Sequence, residues 1–162
     1  MAVTDCFFKV VTAKAGAIKG ESTDPDFPSW IALSGWGWGL SSSGSSTGKG
    51  KSQGKSFDFT YAADSSGPAM FSTLATNDKI KTATMEIRRA GGASAQRYMK
   101  IELKNAKLTS LVIEQGDALL MPKIVGSMTF EEIEISYAAQ SAQGGSGGGA
   151  STFRWIISDE QG

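Results

Sequence analysis

Histidine is absent from the chain, and cysteine occurs once, at Cys6. The first absence removes the commonest general base at neutral pH, the partner of serine and cysteine nucleophiles, and the commonest metal ligand. The second excludes an internal disulfide and any thiolate-based metal cluster, and the setting of Cys6 beside Phe7 and Phe8 marks it as a small buried hydrophobe rather than a reactive thiol. No apolar run has the length that a membrane span needs, and the opening Met-Ala-Val-Thr-Asp lacks the basic-then-apolar order of a cleaved signal peptide. Charge of one sign is not in excess either. Sixteen Lys and Arg balance sixteen Asp and Glu, so no global field draws nucleic acid or an anionic membrane to the surface. These absences describe a protein that begins in the cytoplasm, with no nucleic-acid or membrane partner, no metal and no cofactor. No nucleophile and base, and no metal set, can be drawn, so no catalytic residue is assigned. One carboxylate pair, Glu132 and Glu134, shares a face of the expected strand from Met128 to Tyr137 and has the residue types that flank a sugar. A solvated strand face accounts for it better, because nothing nearby in the sequence sets the two apart.

A chain of 162 residues is long enough for one domain, 1–162, with one core and no covalent staple. Its glycine is concentrated. The stretch from Ser41 to Ser56, SSSGSSTGKGKSQGKS, has the composition of a phosphate-cradling loop, but the required spacing of two glycines before Lys fails in all three registers: positions 43, 45 and 49 hold Ser43, Ser45 and Lys49. Phe57, Phe59 and Tyr61 then alternate with Asp58 and Thr60, the period of a strand and not the first turn of a helix. Residues 41–56 therefore read as a flexible arm between strands. A second flexible segment is expected over 140–151, where QSAQGGSGGGAS is too poor in apolar residues to fold.

Strands are expected over Thr4 to Val11, Ser29 to Leu40, Phe57 to Ala62, Ile80 to Arg89, Arg97 to Lys104, Asn105 to Glu114, Met128 to Tyr137 and Thr152 to Ser158. In the second of these Trp30, Trp36, Trp38 and Leu40 fall on one face and Gly35, Gly37 and Gly39 on the other, a pattern suited to a tightly coiled sheet such as a small barrel. Met128 and Phe130 are apolar at even positions, but Ile133, Ile135 and Tyr137 at odd ones; an extra residue near Glu131 and Glu132 would return both sets to the core. One helix is expected, with Ser66 or Gly67 as cap, Pro68 in the first turn and an apolar stripe of Met70, Phe71, Leu74 and Ala75 ending at Asn77. The fold class is mainly β: a compact barrel of antiparallel strands with one short flanking α-helix.

Four blocks, GAIKGESTD, KSFDFTYAADSSGPAMFSTLATNDKIKTATMEIRRAGG, YMKIELKNAKLTS and MTFEEIEISY, stand in an order that resembles the haemolysin-coregulated proteins, the tube subunits of the bacterial type VI secretion system. The resemblance covers nearly the whole chain and is most specific from Phe57 to Gly92. It implies a non-catalytic barrel subunit that forms a homohexameric ring with a wide channel. Such rings stack into a tube that is wrapped by a contractile sheath, capped by a spike and expelled from the cell without a signal peptide, and they hold effector proteins inside. A phage-tail-like tube protein, or an effector-binding chaperone ring, is the alternative. On this reading Trp30, Trp36 and Trp38 belong to the subunit contact, and Lys49, Lys51 and Lys55 to the arm that reaches the next ring. An arm that orders only on docking gives modest, reversible affinity.

Overall fold

The computed structural model describes residues 4–43, 51–89, 97–140 and 146–157. The arm residue Lys49, Gly91 and Gly92 at the end of the second block, and Gly144 and Gly145 of the second glycine-rich segment lie outside them. Twelve strands and one helix follow in order among the described residues: β1 (Thr4–Thr12), β2 (Gly16–Ala17), β3 (Ile31–Ala32), β4 (Gly35–Gly37), β5 (Leu40–Ser43), β6 (Lys51–Gly54), β7 (Phe57–Ala62), α1 (Gly67–Ala75), β8 (Ile80–Arg89), β9 (Arg97–Glu114), β10 (Lys123–Thr129), β11 (Glu132–Gln140) and β12 (Ser146–Ile156).

Every ladder is antiparallel, and the main path runs β2-β1-β8-β9-β10-β7-β4. The path returns on itself through residues 31–37. On one side Phe7 pairs with Ala32 and Phe8 with Ile31, and the Leu33 amide donates to the Cys6 carbonyl (2.9 Å). On the other, Gly35 pairs with Thr60 and Trp36 with Phe59, and the Ser34 amide donates to the Thr60 carbonyl (2.8 Å). This short clasp links β1 to β7, the two sides of the barrel. Only a segment that switches partner midway can do so, and for that reason the single strand expected from Ser29 to Leu40 is three short ones. Gly35 and Gly37 have open space where a Cβ would stand, so close packing does not explain their spacing.

The core follows from the alternation in β7. Phe57, Phe59 and Tyr61 are buried while Asp58 and Ala62 are exposed, and Phe8 of β1 meets Phe57 and Phe59 at ring separations of 5.8 and 5.2 Å. Each such ring buries apolar area whose removal costs about 3–5 kcal/mol. Gly126 of β10 sits beneath Phe59; a Cβ there would overlap the Phe59 ring and stand 2.9 Å from Leu111. On β9, Ile101 and Leu103 face the core and Lys100 and Lys104 the solvent, as the alternation predicts.

Helix α1 packs Met70 and Thr73 inward. Phe71 and Leu74 are half-buried and Ala75 is exposed, so the expected stripe is rotated toward Thr73. Its hydroxyl is satisfied by donating to the Ala69 carbonyl (2.8 Å). Ser66 occupies the cap position with Pro68 just inside, but its hydroxyl bonds the Asp64 carboxylate and the Tyr61 hydroxyl instead of a helix amide. Asn77, at φ 53°, ends the helical stretch.

Strands β10 and β11 form one long partner for β9, with Thr129 opposite Lys107 and Glu132 opposite Lys104. The phase change expected near Glu131 and Glu132 occurs as a break at Phe130 and Glu131, and the extra residue of the ladder lies on β9, between the partners of Ser127 and Met128. The even set and the start of the odd set reach the core: Met128, Phe130 and Ile133 are buried, whereas Ile135 is half-buried and Tyr137 is 47% exposed. The two segments expected to be flexible carry strand at their edges. Ser41, Ser42 and Ser43 pair with Gln53, Ser52 and Lys51, and β12 begins at Ser146, opposite Gln140.

Candidate assembly surface

The three tryptophans of the expected contact are separated. Trp30 is half-buried, edge-on to Phe27 at 5.0 Å, with the Lys9 ammonium 5.9 Å from its ring. Trp36 is the most exposed, at 38%, and stacks over Phe57 at 6.1 Å. Trp38 lies between Phe130 (6.1 Å) and Trp155 (6.3 Å), under the β5–β6 hairpin. Its indole N–H is buried without a hydrogen-bond partner among the described residues. Packing of the hairpin on this aromatic seam is close: a Cβ on Gly54 would stand 2.5 Å from the Trp155 ring. Lys55 follows the hairpin, and its amide donates to the Gly39 carbonyl (2.9 Å). The Lys51 backbone belongs to β6, opposite Ser43.

Two ionic clusters fix the surface that surrounds these residues. The Arg88 guanidinium lies over Phe7 and Phe27 (5.3 and 5.5 Å) and is ion-paired to Asp5 (3.2 Å), Asp24 and Asp26 (3.3 Å). It pins the 22–27 loop to β1 and β8. The hydrogen bond from Arg88 holds the Asp24 carboxyl below its usual range, and the same bond raises Arg88 further. Glu132, read from sequence as part of a solvated face, is instead 8% exposed. It accepts from Arg154 Nε (2.6 Å) and pairs with Lys104 (3.3 Å), and these bonds, Arg154 first, hold its carboxyl low. A carboxylate so neutralised ties β9, β11 and β12 together and is poorly suited to proton transfer with a sugar. Burial pushes the Cys6 thiol up to about 12, which leaves it protonated and unreactive at neutral pH. Among the described residues no group of three or more Cys, Asp or Glu is arranged to hold a metal, and no helix is long and apolar enough to cross a membrane.

Large apolar side chains that sequence reasoning passed over stand outside. In the β9–β10 turn Leu119, Leu120 and Met121 are 92, 65 and 70% exposed, and Ile113 beside them is 56% exposed. Their signal was present as three apolar residues within a turn, where no core is available to receive them. The outer edge of β12 has no strand partner among the described residues. A surface with apolar projections and a free strand edge is built to be covered by protein.

Comparison with known proteins agrees. The family model described as "Type VI secretion system effector, Hcp" matches residues 7–143. Protein hcp1 of Pseudomonas aeruginosa is 35% identical over 151 residues, spanning 89% of this chain and 92% of the relative. The crystal structure of Hcp1 from Salmonella typhimurium superposes with a TM-score of 0.76 at 22% identity, covering 98% of this chain and 97% of the other. A structure described as a type six secretion system protein reaches 0.85 at 19% identity, covering 98% of both chains. The chain belongs to the Hcp family of the type VI secretion system.

Proposed function

We propose that this protein is a non-catalytic tube subunit: copies associate head to tail into a ring, six to a ring as the family resemblance implies, and rings stack into a tube that is carried out of the cell with effector proteins in its lumen. The observation that carries this reading is the combination of family membership with a filled core that leaves Trp36, Leu119, Leu120 and Met121 outside. A heterologous contact that closes gives a ring, and a ring with two unlike faces can stack further. The free edge of β12 and exposed Trp36 are assigned to the lateral contact, with Trp30 and Trp38 supporting it from within. The arm that bears Lys49, Lys51 and Lys55 is assigned to the axial contact, beside the sheath and spike proteins that the tube must meet.

Light scattering coupled to size-exclusion chromatography, with negative-stain images of the same fractions, tests this. Annular particles with an open middle are expected, and a monomer at every concentration and salt would overturn it. Deleting Ser43 to Gly54 is expected to abolish tubes while retaining rings and client binding; tubes that survive the deletion would remove the arm from the axial contact.

A further inference from the structure

The structure holds a cleft of about 420 Å³ at the far end of the β9–β10 hairpin from the exposed turn. Phe130 and Ile157 line it, and Lys79, Lys107 and Glu131 stand at its edge. Asn77 and Asn105, both at positive φ (53° and 52°), turn the chain at its border. Neither Lys79 nor Lys107 has an ion-pair partner among the described residues, and Lys55 lies in a smaller recess that shares Phe130 and Ile157. The exposed turn has the opposite character. Leu119, Leu120 and Met121 project from it, and Asp117 spends one carboxylate oxygen on the Leu119 amide (3.0 Å). Met121 borders a shallow recess with Glu21 and Asp64.

We propose that the Leu119–Met121 turn of one copy seats in the Phe130–Ile157 cleft of the next. This rests on the self-assembly reading above and names two surfaces that meet. The turn cannot fill its own cleft. Lys107 and Thr129 face each other at the cleft, Glu114 and Lys123 at the turn, and the six steps of β10 between them, at about 3.3 Å each, hold them about 20 Å apart. A Leu119–Met121 turn that fills the cleft must therefore come from another molecule. Size and charge select a second copy. A cavity of about 150 Å³ accepts a benzene-sized group, so this cleft has room for two of the three side chains. An apolar projection flanked by Asp117, Asp64 and Glu21 meets a cleft in which two lysines outnumber one glutamate, and opposed unlike charges of this kind set orientation and register. Because turn and cleft are different surfaces, the contact is directional and repeats from copy to copy.

The test is disulfide trapping in a Cys6→Ala background, with Leu119→Cys and Lys107→Cys made separately and together. Mixing the two single variants under mild oxidation is expected to give a dimer band that neither gives alone, and the double variant a ladder of higher covalent species. Leu119→Cys cross-linking to itself would show a turn-to-turn contact and overturn the proposal. Annular particles that form without any 119–107 cross-link would also overturn it while leaving the ring intact, whereas monomers throughout would remove the ring as well. Independently, Lys107→Glu, exposed and outside the core, is expected to raise the concentration of half-assembly about tenfold or more at low salt, because it opposes like charges; an unchanged midpoint would count against the seat.

Discussion

Glu132 illustrates how a single carboxylate can carry structure. It is nearly buried, and Arg154 and Lys104 compensate its charge from the strands on either side. Its folded pKa is lowered, so its contribution is complete above the unfolded value, about 4.3–4.5, and fades as pH falls through the lower folded value. Wild-type protein is therefore expected to lose stability in urea as the pH falls below about 4.5, and Glu132→Gln to be less stable at pH 7 but flatter at acid pH. Equal slopes for the two proteins would refute the assignment. The sequence showed Glu132 and Glu134 as an alternating pair but not Arg154 as partner, because twenty-two residues separate them and only the β11–β12 register brings them together.

At the scale of elements, the β5–β6 hairpin rests on Trp155, which Trp38 flanks, through the bare face of Gly54. Gly54→Ala places a methyl group against the Trp155 ring and is expected to cost about 1–3 kcal/mol as the hairpin lifts. Gly39→Ala, across the base of the same hairpin, meets only the Lys55 side chain at 3.8 Å and is expected to stay within about 0.5 kcal/mol. Urea titrations followed by tryptophan emission separate the two; equal losses would mean that the seam does not support the arm. The same elements show what the sequence could and could not reveal. Phe57–Ala62 and the Ala83–Ile87 part of β8 were legible because their apolar positions keep a period of two, and the helix because Pro68 and Asn77 mark its ends. Lys123–Thr129 was missed before Met128, since Gly126 stands where the alternation calls for a core side chain and Phe59 fills its place. The start of β12 was missed for a related reason: Ser146 to Ala150 has almost no side chains to alternate, yet its backbone pairs with β11. Of the proposed contact surface, Trp36 was named from the sequence, whereas the apolar turn needed the fold to show that no core lies beneath it.

For the whole molecule, six of the ten ladders among the described residues run to six or more pairs, whereas the clasp holds on through two ladder pairs to β1 and three to β7. Native-state hydrogen exchange is expected to show the Leu33 and Ser34 amides opening well below the global free energy, with Met85, Ile101 and Leu103 on β8 and β9 opening only with complete unfolding. Uniform protection across all five would contradict this. The consequence is mechanical. A subunit pulled across its seam parts first where the fewest hydrogen bonds share the load, so the wall of each barrel has a designated tear line, running between Cys6 and Thr60, along which traction can unzip it while the long β8–β9 ladder stays whole.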